Sequence, residues 1–355
     1  MKTLDRYIGI RLLWKFLLVA VILSSLFSFL TLVRELDDIG TGAYRLGDVF
    51  AFVALTMPGR FLDLMPVSVL LGAVLALGSL AGSGELMAMQ TAGMSVSRIG
   101  GAVLGAGALL MAGALLLAEF VVPPLEQFAQ TQRSIALTSR STMMTRHGYW
   151  ARQDLWFLHV RKILPGGIPA EVDIYEFDDE GRIRTFLHAR EADARDQKHW
   201  VLLDVVEKVP GDVGLTTRRH SRLPWDSFLN ARQIDVLGLP PGSLSLTDLY
   251  QYVRALRKRG QNADVYALTL WKKGIMPLTT GVMVVLSLPF VFGPMRTASA
   301  GKRITLGAIV GITYYFADQI LGYMALLFHL HPALVTAVPG AMILFVALCA
   351  LRRIP

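Results

Sequence analysis

Residues Leu12 to Val33 read LLWKFLLVAVILSSLFSFLTLV, an apolar run whose only charge, Lys15, lies near its start. A helix crosses the hydrocarbon core of a bilayer with about 20 apolar residues, so this stretch is long enough to span. It exceeds the apolar region of a secretory leader and lacks a small-x-small cleavage pattern, so it reads as retained. Five more runs follow: Phe61–Leu80, Ile99–Val122 ending at Pro123-Pro124, Ile275–Phe292 ending at Gly293-Pro294, Ile304–Phe328 and Ala333–Leu351. A shorter apolar stretch, Val49–Met57, is expected along the interface before the second run. The chain of 355 residues is 53% hydrophobic and 17% charged, against about 25% charged in soluble proteins, and its mean hydropathy is +0.48. The deficit of charge falls in the first third and the last quarter, while the middle has soluble composition.

The basic residues give the spans a direction. Lys2, Arg6, Arg11 and Lys15 open the chain, Arg98 lies between runs two and three, Arg296, Lys302 and Arg303 between four and five, and Arg352 and Arg353 after six. With six spans these all share one side, which the positive-inside rule makes cytoplasmic. Both termini are therefore expected in the cytoplasm, with the insert of residues 124–262 outside it. This placement accounts for the net charge of +8 without nucleic acid. The single cysteine, Cys349, excludes an intrachain disulfide and a cysteine metal site.

Between Gly148 and Val236 the pattern changes to strand-like segments, LWFLHVRKI, EVDIYEFD, RIRTFLHARE and HWVLLDVVEKV. Turn clusters separate them: Pro165-Gly166-Gly167, Asp178-Asp179-Glu180-Gly181, Asp196-Gln197-Lys198 and Pro210-Gly211-Asp212. Short strands at this spacing predict an antiparallel sandwich or open barrel. Val201, Leu203 and Val205 form one apolar face, and Leu202 and Val206 on the other leave it not wholly polar, as in a closed core or a lipid-lined groove. Helices over Glu126–Leu137 and Leu246–Arg259 bracket the strands.

No enzyme site is legible. Gly301-Lys302-Arg303 lacks the spacing of a nucleotide-binding loop, and neither HExxH nor GxSxG occurs. His329 and His331 make a lone HxH that reads more readily as loop than as metal ligand. Charge inside a membrane is costly: Arg60 and Asp63 at the entrance of span two and Glu119 near the end of span three read first as interfacial. Asp318 inside span five can pair with a basic residue, cap a polar cavity or relay protons. Gly101 and Gly105, and Gly307 and Gly311, have the spacing of close helix packing. The loop after span two, Gly82 to Ser95, predicts a short helix over Glu85–Ala92, with Glu85 at its electropositive start and Gly93 able to end it. Leu86, Met89 and Gln90 follow at helical spacing. Such a helix, at about residues 84–93, suits docking onto a cytoplasmic protein.

Several of these motifs together resemble the YjgP/YjgQ family of lipopolysaccharide export permeases. They are Leu4-Asp5-Arg6-Tyr7-Ile8-Gly9, the GELMAMQTAGMS loop from Gly84, Pro123 with Glu126, the region of Trp271, Phe292-Gly293-Pro294-Met295-Arg296 and Asp318-Gln319-Ile320. Their order covers essentially the whole chain, and the LDRYIG start looks closer to the LptG branch than to LptF. The resemblance implies a Gram-negative inner-membrane subunit of an ABC transporter, with three parts: transmembrane helices in residues 1–123, a periplasmic β-jellyroll-like domain in 124–262 and transmembrane helices in 263–355. It further implies an LptF partner subunit, an LptB ATPase dimer that holds the ATP and magnesium, LptC at a lateral gate, and LptA receiving lipopolysaccharide. No cofactor is expected in this chain. Glu85 matches the acid of the family's coupling helix, with Leu86, Met89 and Gln90 around it, and Arg133 matches a basic position below the jellyroll. Where the family often has several lysines at the outer end of span one, only Arg34 is basic here and it is displaced in register, so Arg34 and Arg60 are the phosphate-contact candidates, and Arg133 is a further candidate to bind the substrate. Leu26, Leu30, Tyr315 and Phe316, on spans one and five, are the candidates to hold acyl chains. Two other classes fit the same residues: a proton-coupled secondary transporter using Asp318 and Glu119, and a membrane anchor that presents the β domain without transport.

Overall fold

The computed structural model describes residues 2–137, 143–153, 155–164, 168–193, 199–211, 214–226, 240–258, 261–292 and 299–352. The turn around Gly166, the Asp196-Gln197-Lys198 cluster and the Gly293–Arg296 loop lie outside the described residues. The first half contains α1 (Lys2–Leu36), α2 (Leu46–Asp63), α3 (Met65–Gly82), α4 (Glu85–Thr91), α5 (Val96–Leu116) and α6 (Val122–Leu137). Strands β1 (Met143–Gln153), β2 (Trp156–Leu164), β3 (Ile168–Phe177), β4 (Ile183–Asp193), β5 (His199–Gly211) and β6 (Gly214–Asp226) follow. A 3-10 turn (Pro241–Ser243), α7 (Leu246–Lys258), α8 (Asp264–Phe292), α9 (Ala300–Leu327) and α10 (Pro332–Leu351) complete the described chain.

Six helical stretches are long and apolar enough to cross a membrane: Thr3–Leu36, Met65–Gly82, Ser97–Leu137, Asp264–Phe292, Gly301–Leu327 and Pro332–Leu351. The second starts at Met65, not at Phe61, because Phe61 closes α2 and Pro66 opens a new helix at a position where its missing N–H costs no bond. The third does not stop at Pro123-Pro124. A π-turn over Leu117–Val121 precedes the prolines, and Val122 donates its N–H to the Leu117 carbonyl. That widened turn absorbs the clash a proline ring makes with the preceding turn, so the helix runs on to Leu137.

Helix α3 is the axis of the bundle: thirteen of its 18 residues are buried, and it packs on α1, α8 and α9. A methyl added at Gly72 would stand 2.5 Å from the Phe16 Cα, so glycine here lets the α1 and α3 backbones cross. Gly307 and Gly311 behave as their spacing predicts and abut Leu71 and Val67 of α3. Gly101 and Gly105 meet nothing within 4 Å and border an open groove with Gly9 and Ile10 of α1. The main core joins Ile8, Leu12 and Phe16 to Leu77, Leu80, Ile99, Val284 and Leu288.

The six strands form one antiparallel sheet in the order β1-β2-β3-β4-β5-β6. Among the described residues this is a single meander where the sequence predicts a sandwich or an open barrel. Pairing is interrupted at Arg161, Glu171, Arg190 and Asp204, which lie side by side across β2 to β5. The β1 register shifts opposite the same line, between Met144 and Tyr149. Glu171 and Asp204 both have φ of 51°, a left-handed conformation uncommon outside glycine. The sheet is creased there. In β5 the buried positions are Trp200 and Leu202 on one side and Val205 on the other, a step of three where flat pleating gives two. Val201 and Leu203, read from the sequence as one apolar face with Val205, are exposed and half-buried, respectively. The crease lets Leu158, Val160, Val172, Ile174, Leu187 and Ala189 share one apolar interior with Ala192, Trp200 and Leu202.

Candidate functional site

The loop between α3 and α5 forms the short helix the sequence predicts. Gly84 (φ 74°) starts α4, Gly93 (φ 89°) ends it, and Ser95 caps α5 by accepting the Arg98 N–H at 3.3 Å. Glu85 is held inside the chain. The Tyr7 hydroxyl donates to its Oε2 at 2.7 Å, Ser83 Oγ to its Oε1 at 2.9 Å, and Arg11 Nη2 lies 3.7 Å away. These bonds, the one from Tyr7 first, hold its carboxyl below the usual range. Leu86 and Met89 point into the main core and are buried. Gln90 is half-buried, and Met87, Ala88 and Thr91 form the open face. Leu86 and Met89 thus seat the helix on the bundle, while the face open to a partner carries residues the sequence did not single out.

At the opposite end Arg133 belongs to a staple between α6 and the end of α1. Its Nε donates to Glu35 at 2.7 Å and its Nη2 to Asp38 at 2.6 Å, and the guanidinium lies 5.4 Å from the Phe52 ring centroid. The Tyr44 hydroxyl donates to the same Glu35 carboxylate at 3.1 Å. Burial, with Glu35 beside it, pushes the Tyr44 hydroxyl up to about 12. Arg133 is occupied by carboxylates rather than open to an anion. Arg34 is exposed and has no ion-pair partner among the described residues. Arg60 is half-buried and lies 3.4 Å from both Ser28 Oγ and the Val53 carbonyl.

Between α2, α3, α6, α8, α9 and α10 lies a polar chamber of about 260 Å³, lined by Asp63, Glu126, Lys272, Lys273, Tyr314 and Asp318 among others. Lys272 Nζ pairs with Asp318 at 2.9 Å, and Lys273 Nζ donates to the carbonyls of Gly242 at 2.6 Å and Leu244 at 2.7 Å. Asp318 therefore does two of the three things its position permits: it has a basic partner and it borders a polar cavity. Glu119 accepts the Leu246 N–H at 2.9 Å and the Thr247 hydroxyl at 2.5 Å, so it caps α7. Both acids proposed as proton sites are engaged. His329 Nδ1 lies 3.2 Å from Asp264, joining the end of α9 to the start of α8. The sequence names Asp318 but not the two lysines, whose place near a span end looks like ordinary snorkelling.

Helices α1 and α9 carry the open apolar faces. Leu26, Phe29 and Leu30 on α1 and Phe316 and Ile320 on α9 are exposed, while Tyr315 is half-buried. Phe27 and Tyr315 meet edge to face with centroids 5.9 Å apart. The four residues proposed to hold acyl chains thus lie on or beside two faces that approach each other.

A family model described as lipopolysaccharide export system permease LptF/LptG matches residues 6–353. The lipopolysaccharide export system permease protein LptG of Haemophilus influenzae is 33% identical over 328 residues, which are 92% of this chain and 92% of that protein. Its namesake in Escherichia coli K12 is 29% identical over 352 residues, 99% of this chain and 98% of that one. Six apolar helices with a β domain inserted after the third, and a match that runs nearly end to end, make this chain a member of the LptF/LptG family of lipopolysaccharide export permeases.

Proposed function

We propose that this chain is one membrane subunit of an ATP-driven transporter that extracts lipopolysaccharide from the outer leaflet of the inner membrane and passes it through the β domain toward the outer membrane. The termini and α4 face the cytoplasm in this reading, and the β domain faces the periplasm, as the basic residues around the spans suggest. An LptF-type subunit would close the cavity against α1 and α9, and LptC would join at the gate beside them. An LptB ATPase dimer would dock on α4, and LptA would receive the lipid.

The observation that supports this reading is one chain with a short helix between two spans at one end of the bundle and a creased sheet with an apolar interior inserted at the other. Acyl chains gain about 0.8 kcal/mol per methylene when buried. Extraction is therefore feasible only if each surface that receives the chains is comparably apolar. The open faces of α1 and α9 are such surfaces, so ATP need drive only the release step.

The test is to purify the complex in mild detergent, identify the proteins that come with it and assay ATP hydrolysis. An ATPase partner and ATP-dependent lipid release are expected, and Glu85→Lys should separate the two. If Glu85→Lys leaves ATPase binding and transport intact, the docking assignment is wrong. Recovery without any ATPase, or transport driven by a proton gradient alone, would replace the whole reading.

A further inference from the structure

Glu85 is the acid expected to meet the ATPase, yet its carboxylate is already hydrogen-bonded within the chain. Tyr7 donates to it at 2.7 Å, and Arg11, one helical turn further along α1, stands 3.7 Å from it and hydrogen-bonds the same Tyr7 hydroxyl. A second pair ties the same foot of α1 to the start of α5, with Arg98 Nη2 3.3 Å from Asp5 Oδ2. Ile8 and Leu12 of α1 share one core with Leu86 and Met89 of α4, Met94 and Ile99. Polar and apolar contacts therefore converge on one joint. The lower turns of the first span and the short helix are packed and hydrogen-bonded to each other, while the upper part of the same span carries the open face with Leu26 and Leu30.

We propose that Tyr7 and Arg11 are positioning residues that lock Glu85 to the first span, so that α4 and α1 move as one body and force applied to α4 reaches the gate helix directly. This inference rests on the docking reading for its source of force. It adds to what Glu85 does: the carboxylate, whose side chain stays 34% exposed, is also a link inside the chain, beside the open face of Met87, Ala88 and Thr91. A helix is stiff along its axis, so displacement at its foot tilts its far end instead of being absorbed by a loop.

Two measurements on the full complex test it, in a Cys349→Ser background with spin labels at Ile10→Cys and Ala92→Cys, both of them exposed positions away from the face named for the partner. The label distance should stay the same between the nucleotide-free and vanadate-trapped states. Tyr7→Phe, which keeps the ring and removes only the hydroxyl, should broaden that distance. The same substitution should leave ATPase recruitment and hydrolysis unchanged and lower lipid released per ATP by roughly three- to tenfold, the scale of losing one ordinary hydrogen bond at a part-exposed site. A merely structural role for Tyr7 would lower expression or both rates together and leave the ratio alone. A label distance that changes by several ångströms between the two states overturns the proposal, as does an unchanged release ratio in Tyr7→Phe. Failure of the docking reading shows separately, as the absence of any ATPase in the unsubstituted complex. In that case the broadening with Tyr7→Phe in the full chain still decides whether the joint exists.

Discussion

Arg133 shows how far one side chain's environment can change its meaning. From sequence it is a basic residue below the β domain and a candidate for lipid phosphate. In the structure it bridges Glu35 and Asp38 across two helices. Arg133→Ala would leave two carboxylates facing each other beside the buried Tyr44, and should lower stability by about 1–3 kcal/mol, less than a fully buried pair because Asp38 is well exposed. Thermal unfolding in detergent measures this, and Arg133→Lys should recover part of the loss. If Arg133→Ala unfolds with the midpoint of the unsubstituted chain but loses lipid binding, the anion role is restored and the staple is incidental. The partners of Arg133 could not be read from sequence, because Glu35 and Asp38 lie nearly a hundred residues away and look like ordinary interfacial acids. Asp178 is the opposite case. Its cluster with Gly181 is a legible turn, and the structure closes it as such: Asp178 accepts the Arg182 N–H at 2.7 Å and the Glu180 N–H at 3.1 Å. The Arg182 backbone bond, above all, holds its carboxyl below the usual value. The hairpin should therefore keep this contribution at neutral pH and lose it as pH falls through the lowered value, which amide exchange across β3 and β4 can follow.

Element by element, the spans were legible because an unbroken run of about twenty apolar residues matches the thickness of a bilayer core and exceeds what a buried helix of a soluble domain needs. Their ends were not. The apolar stretch before Met65 hides the break between α2 and α3, and Pro123-Pro124 reads as a stop unless a π-turn is anticipated. Crossing points are similarly opaque: the GxxxG pair at Gly101 and Gly105 packs on nothing among the described residues, whereas Gly72 carries the α1–α3 crossing. Gly72→Ala should push the first span off its axis and cost about 1–3 kcal/mol, as overpacking does. Gly105→Ala should be neutral for the chain alone, and the two midpoints measured side by side decide it. The crease was invisible for a different reason. Alternation of apolar residues predicts faces only while the pleat continues, and Asp204 turns the strand by adopting a left-handed conformation. Asp204→Gly should be tolerated. Asp204→Val should cost about 1–2 kcal/mol, since a β-branched side chain resists that conformation. Equal stability of the two would mean that the crease does not depend on the backbone of Asp204.

For the molecule as a whole, the division into six spans and an inserted β domain follows from composition alone, and the resemblance supplied the export function. The sequence reads Glu126–Leu137 as continuing outward from the third span, but the contacts that fix the joint are not in it. In the chain the β strands follow α6, which continues the third span, and precede α7, which Glu119 caps from the π-turn of that same span. Lys273 ties the returning segment to α8 through the Gly242 and Leu244 carbonyls, and its neighbour Lys272 ties α8 to α9 through Asp318. Motion of the fifth span should therefore reach the foot of the β domain through two adjacent lysines. Lys272→Met should leave Asp318 without its partner in the polar chamber and impair lipid release more than Lys272→Met with Asp318→Leu, because an unpaired acid is worse than none. If the double substitution is the weaker transporter, the pair acts in transport itself and not only in holding the helices.

In the proposed cycle lipid travels from the open faces of α1 and α9 into the creased sheet when ATP is consumed. A photo-crosslinking side chain at Leu223, half-buried against the apolar interior, tests this most directly, with the exposed Arg184 position as control. In the reconstituted complex the Leu223 position should capture lipopolysaccharide only with hydrolysable ATP, and the Arg184 position should capture little. Equal capture at both positions, or capture at Leu223 that does not depend on ATP, would contradict it.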